Sequence, residues 1–192
     1  MAMKKVKSEE IRELGSLVQK LSKMPPITEE ILCLNSRAIS LMVEAGAVKE
    51  LKDLAEHASR PASTRALAAL EKMLDDFVKN EDTDSLLWLG KNSSESAAMS
   101  VVSLFKEKKD LQSLVQLGES APKEVADAAV SALEELKASD ALEHLVENGP
   151  RAIEESARSA LTRVSSPPAE EIARRIGELC EDIEGATGPE GQ

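Results

Sequence analysis

The side chains most able to do chemistry in this chain are two histidines, two cysteines and a surplus of carboxylates. His57 and His144 lie far apart, and neither stands in an HExxH or other metal-ligand spacing. Cys33 and Cys180 form no CxxC pair, so reduced thiols are expected rather than a disulfide framework. Gly118-Glu119-Ser120-Ala121 is not a G-x-S-x-G nucleophile elbow, and no strand pattern precedes it. Neither GxxxxGK[ST] nor GxGxxG occurs. The carboxylate pairs Glu9-Glu10, Glu29-Glu30 and Glu170-Glu171 fall in predicted first helical turns, where negative charge complements the helix dipole. Asn92-Ser93-Ser94 has the form of a glycosylation sequon but reads as a helix-start loop. The expectation is a protein with no catalytic residue, no metal and no cofactor: not an enzyme.

Composition narrows the partners. The 192 residues carry 35 acidic and 24 basic side chains, for a formal charge of −11. Nucleic-acid affinity comes largely from Lys and Arg neutralising phosphates, and anionic lipid likewise attracts basic surfaces, so neither partner is expected. Lys4, Lys5 and Lys7 lead into a charged amphipathic segment rather than an apolar signal, and no apolar run reaches the length of a membrane span. A soluble, cytoplasmic protein is expected. Aromatic residues make up 2% against a hydrophobic 42%, with no Tyr, two Phe and one Trp. Such a core must be assembled from Ala, Leu, Val and Ile, which favours close-packed helices over strands.

The spacing agrees. Ile11, Leu14, Val18 and Leu21 recur at 3, 4 and 3, placing them on one helical face after Ser8 and before Pro25-Pro26. Thr28 opens a second helix through Ile31, Leu34, Ala38, Leu41 and Met42, which Gly46 ends. Thereafter short helices, around 51–58, 86–90, 111–118 and 141–149, alternate with longer ones. The longer ones share A-x-x-A-L-x-x-apolar: Ala66/Ala69/Leu70/Met73, Ala98/Val101/Val102/Phe105, Ala129/Ala132/Leu133/Leu136 and Ala157/Ala160/Leu161/Val164. Pro61, Ser94, Pro122 and Pro150 start them, since Pro is tolerated in a first turn and Ser caps it. A helix pair cannot bury its own apolar stripe, whereas similar pairs stacked together build a continuous core.

The predicted fold class is all-α: a right-handed α-α superhelix of about four to five helix pairs, with an irregular helical bundle as the alternative. A single domain is expected over 1–184, with an N-terminal capping helix in 1–24 and the repeats in 28–165. Ser166-Pro167-Pro168 starts a C-terminal capping helix, 167–184, carrying Ile172, Ile176, Leu179 and Ile183, and a disordered tail follows over 185–192.

Over roughly 30–165 the pattern resembles the HEAT/armadillo superfamily, nearest to its short HEAT-like repeats. There the second helix reads P-x-x-V-R-x-A-A-x-x-A-L, and here it reads Pro122, Val125, Ala126, Ala128, Ala129, Ala132, Leu133. Ala126 and Glu154 stand where that family usually has Arg, so its Asp–Arg ladder is missing. The resemblance implies that the last helix of each repeat lines a concave binding face. Taking Ala66, Ala69, Leu70 and Met73 as buried, 100° per residue puts Thr64, Ala68 and Glu71 on the opposite side. The same register adds Ser96, Ser100 and Ser103, then Asp127, Ser131 and Glu134, then Glu155, Ser159 and Thr162. This hydroxyl-rich ladder turns acidic toward its C-terminal half and would suit a helix or extended peptide of basic character. Trp88 is register-equivalent to Glu56 and Gln116, so it is either a solvent-facing interface anchor or a cover over an irregular neighbour.

The functional expectation is a non-enzymatic scaffold or adaptor that binds a protein or peptide. The candidate contact residues are Glu71, Trp88, Ser100, Asp127, Ser131, Glu134, Glu155 and Ser159. The alternative is an enzyme or an accessory subunit of one, as HEAT-like lyases are. A HEAT-like glycosylase would need a basic, aromatic-bearing groove, which this chain does not encode.

Overall fold

In a computed structural model of the chain, residues 8–23, 28–166, 174–176 and 178 are described. The described residues are helical and contain no strand. Their helices are α1 (Ser8–Ser22), α2 (Glu29–Glu44), α3 (Val48–His57), α4 (Arg60–Lys72), α5 (Leu74–Lys79) and α6 (Thr83–Asn92). They continue as α7 (Glu95–Lys108), α8 (Leu111–Ser120), α9 (Lys123–Glu135), α10 (Ser139–Asn148) and α11 (Arg151–Ser165). Most of the expected 167–184 helix, the 185–192 tail, Pro25-Pro26 and Cys180 lie outside the described residues. No helix among those described is long and apolar enough to cross a membrane.

The chain divides into two compact units between Val101 and Val102, so that α7 crosses the division. In the first unit α1, α2, α3 and α4 pack on one another and α5 packs on α6. Their shared core is aliphatic: Met42, Leu51, Leu54, Ala62, Ala66 and Leu70 are fully buried. Polar links fasten the helices. Arg65 Nη1 donates to the Leu32 carbonyl at 2.6 Å, and Lys52 Nζ to Ser85 Oγ at 3.0 Å. In the second unit α8 packs on α9, α10 on α11, and α9 on α11. Leu114, Leu117, Leu133, Leu142, Leu145 and Ile153 fill the space between them, with Ala129 and Ala157 fully buried. Gly118 permits the close approach of α8 to α10, because a Cβ there would lie 2.9 Å from Leu145 Cδ1.

Helix ends supply the register that small-residue spacing left loose. After α2, α5, α7 and α9 the chain turns through the left-handed region at Gly46, Glu81, Lys109 and Lys137, with φ of 66°, 54°, 54° and 55°. Each turn closes the same way. The following amide returns to a carbonyl five residues back: Ala47 to Met42, Asp82 to Phe77, Asp110 to Phe105 and Ala138 to Leu133, at 2.9–3.0 Å. This is the Schellman termination, here with three non-glycine residues in a conformation that is costly for them. The next helix is then capped in place. Asp82 accepts from the Ser85 amide at 3.0 Å and hydroxyl at 2.6 Å, and Asp110 from the Ser113 amide at 3.1 Å and hydroxyl at 2.7 Å.

The turns at 81, 109 and 137 are 28 residues apart, so the structural equivalent of Ala98 is Ala126, not Ala129. The turns at 46 and 81 are 35 apart, and α5, which the spacing did not predict, takes up the extra seven. By this register Ser103, rather than Ser100, matches Ser131 and Ser159. Alanines three and four apart flank the same stripe, so an A-x-x-A pattern can be slid by one turn without violating burial. A left-handed residue cannot.

Candidate binding groove

Two helices build the groove, both starting after proline. Pro122 precedes α9 and Pro150 precedes α11, each with an extended ψ that stops the preceding helix and opens the next. On α9, Val125, Ala129 and Leu133 turn inward, and on α11 Ile153, Ala157 and Ala160 do so. The seam is therefore small-residued, which lets the helices lie close. Their outer sides carry Asp127, Ser131 and Glu134 on one wall and Glu155 and Ser159 on the other. These five ladder residues line one depression of about 390 Å³ together with Lys123, Val130, Ala152, Ser156 and Arg163.

The charges in it differ in availability. Glu134 is held by Arg163 in a two-pronged pair, Nε to Oε1 at 2.5 Å and Nη2 to Oε2 at 2.7 Å. That hydrogen bonding keeps the Glu134 carboxyl below the usual carboxylate range and raises the Arg163 guanidinium. Asp127 is different. Its Oδ1 is buried and has no hydrogen-bond partner, while its backbone carbonyl accepts from Ser131 Oγ at 3.0 Å. Glu155 is exposed and makes no hydrogen bond or ion pair among the described residues. Counting Lys123 and Arg163 against Asp127, Glu134 and Glu155, the lining carries a net charge of −1. With Glu134 and Arg163 paired, Asp127 and Glu155 outnumber Lys123, the remaining cation of the lining.

The remaining three candidate contact residues lie in the first unit and have other occupations. Glu71 accepts the Ser94 amide at 2.8 Å, so its carboxylate caps the start of α7. Ser100 is exposed on α7 and donates to the Ser96 carbonyl at 3.0 Å. Trp88 is half-buried: its Nε1 donates to Glu56 Oε1 at 2.6 Å, and Lys52 Nζ lies 5.9 Å from the ring centroid. The ring thus lies against α3, held by a hydrogen bond at its edge and a cation at its face.

The histidines are exposed and engaged with neighbouring acids. His57 Nδ1 lies 3.1 Å from the Asp53 carbonyl oxygen, and His144 Nε2 lies 2.9 Å from Glu119 Oε1. Among the described residues no cluster of His, Cys, Asp or Glu has the geometry to hold a metal ion. Cys33 is exposed and unbonded to another cysteine. Five groove residues escaped the sequence reading: Lys123, Val130, Ala152, Ser156 and Arg163. Arg163 carried a usable signal, because 134 and 162 are equivalent at a step of 28, which puts residue 163 beside Glu134. No family model matches the chain, and no curated protein matches it.

Proposed function

We propose that this chain is a non-enzymatic protein-binding module whose α9–α11 groove receives a basic helix or extended peptide. The observation that carries it is the two carboxylates that line the groove without an ion-pair partner, Asp127 and the exposed Glu155. Hydrogen bonds between an ionised carboxylate and a cation are stronger than neutral ones. A Lys or Arg side chain entering between Asp127 and Glu155 supplies the matching positive charge. Ser131 and Ser159 keep the walls low enough for a peptide backbone to approach.

The wider reading is a HEAT/armadillo-like right-handed superhelix serving as a cytoplasmic scaffold. Its support is local: the same left-handed termination recurs at 81, 109 and 137, and the same Asp–Ser cap at 82 and 110. Calorimetric titration of the full chain with a Lys-rich amphipathic peptide tests the groove. Asp127→Asn should weaken binding about tenfold, the loss of one charge-assisted bond of about 1.5 kcal/mol. Raising salt should weaken the wild type further. Binding that neither change alters would remove the groove from consideration.

A further inference from the structure

We infer that Ser166 is a phosphorylation site whose phosphate draws Arg163 away from Glu134 and so frees a third carboxylate for the α9–α11 groove. Ser166 stands at the C-terminal end of α11 and is exposed. The 192 residues contain one Ser-Pro pair, Ser166-Pro167, and no Thr-Pro, and Arg163 stands three residues before that serine. A residue before proline is pushed toward extended backbone, and Ser166 has φ −74° and ψ 129°. An exposed hydroxyl on extended backbone, followed by proline, is what a proline-directed protein kinase accepts. The kinase moves the γ-phosphoryl group of a nucleoside triphosphate to Ser166 Oγ. The Oγ–P bond forms as the bond from that phosphorus to the bridging oxygen breaks. The nucleoside diphosphate leaves, and the hydroxyl proton passes to the kinase's carboxylate base.

The surroundings suit a phosphate. Ser166 lines a cleft of about 370 Å³ with Glu134, Lys137, Arg163 and Val164. Lys137 is exposed, and its side chain makes no hydrogen bond or ion pair among the described residues. Arg163 is engaged, with Nε and Nη2 on the two oxygens of Glu134 at 2.5 and 2.7 Å. A phosphate at Ser166 meets the negative end of the α11 dipole, so without cations it would fray the last turn. Lys137 and Arg163 oppose that, because a phosphoserine bears about −1.5 to −2 at neutral pH and presents three strong acceptors. It outcompetes the single charge of Glu134 for the guanidinium. Ser166 Oγ donates to the Thr162 carbonyl at 2.7 Å, and after modification that carbonyl keeps the Ser166 amide, at 3.0 Å. Glu134 and Arg163 also line the groove, so the exchange occurs at its wall. With Arg163 turned to the phosphate, Lys123 is left facing Asp127, Glu134 and Glu155.

The site stands on the cleft beside Ser166; only its effect on a peptide rests on the groove reading. The full chain, treated with ATP and a proline-directed serine kinase and mapped by peptide mass spectrometry, should carry phosphate at Ser166 and lose it in Ser166→Ala. The Glu134 carboxyl, held low by Arg163, should titrate higher by NMR in the phosphorylated chain. The second ionisation of the phosphate, about 6 in free phosphoserine, should lie lower than in phosphorylated Lys137→Gln by phosphorus NMR. The phosphorylated chain should bind the Lys-rich amphipathic peptide about threefold to tenfold more tightly than the unmodified one. No phosphate at Ser166 overturns the inference. So does a Glu134 titration that phosphorylation leaves unchanged, or a phosphate ionisation that is the same with and without Lys137. Peptide binding that phosphorylation leaves equal or weaker overturns it too. If neither form binds the peptide, the groove reading fails, and the Glu134 and phosphate titrations still decide the site.

Discussion

Replacing Ala129 with leucine puts three additional carbons into the seam between α9 and its neighbours. Ala129 and Ala157 are both fully buried, and α9 packs on both α8 and α11. Extra methylenes in a filled site force off-rotamer side chains or backbone shifts, at about 1–3 kcal/mol. Leucine gains no helix propensity to offset this, because alanine is already the better helix former. The full cost should therefore appear. Ser131, two residues along, is exposed at the groove, and Ser131→Leu removes only a hydroxyl bonded back to the Asp127 carbonyl. Such back-bonds slightly disfavour helices, so the change should stay within about 0.5 kcal/mol. Urea unfolding followed by far-ultraviolet circular dichroism gives both values, with unchanged slope as the control. For a chain of this size about 1 kcal/mol shifts the thermal midpoint by about 2–4 °C, so the two variants should separate clearly on heating too. Equal losses, or a larger loss at Ser131, would mean that α9 does not present these faces, and the groove built on them would fall.

Three further outcomes follow from helix ends and charges. Ala138 has the backbone of the aspartate caps, φ −84° and ψ 72° against −77° and 77° at Asp82 and −81° and 82° at Asp110, but no capping side chain. Ala138→Asp should therefore stabilise the chain by about 0.5–1 kcal/mol in urea unfolding, and Asp110→Ala should destabilise it by a similar amount. The Glu134 carboxyl lies below its unfolded value, so its contribution is complete above the ordinary carboxylate range and is lost as pH falls through the lowered one. Acid unfolding of Glu134→Gln should show a weaker pH dependence there, by a small margin because the pair is exposed. At Asp82 burial pushes the carboxyl up, but the Ser85 hydroxyl and amide bonds and the Lys52 ammonium outweigh it and leave it lowered. Lys52→Met should relax that lowering, read as an upward shift in the Asp82 carboxyl titration by NMR.

Much of the architecture was written in local signals. Thr28 caps α2 by accepting the Ile31 amide at 3.3 Å, Gly46 ends that segment with positive φ, and Pro122 and Pro150 precede α9 and α11 as their types require. These assignments need only a residue and its near neighbours. The 28-residue step was harder to see, because Glu81, Lys109 and Lys137 adopt a left-handed conformation that glycine would have advertised. Helix α5 was invisible for a related reason: LDDFVK is too short to show a period, and Met73 already completed the expected stripe. Five groove residues came together because α9 and α11 share one step, which even a misplaced register preserves. Glu71 and Trp88 did not join them as open contacts, since their partners Ser94 and Glu56 lie 23 and 32 residues away in sequence. Pairings of that kind depend on how helices pack, which periodicity alone does not fix.

The central claim is that Asp127 and Glu155 form a cation-accepting groove on α9 and α11. Residue-resolved amide shifts of the labelled full chain, titrated with a Lys-rich amphipathic peptide, test it most directly. Saturable shifts are expected at Asp127, Ser131, Glu155 and Ser159, diminished when Asp127→Asn and Glu155→Gln are combined and reduced by added salt. No saturable shift, or a shift map centred elsewhere and untouched by the double variant, would contradict it.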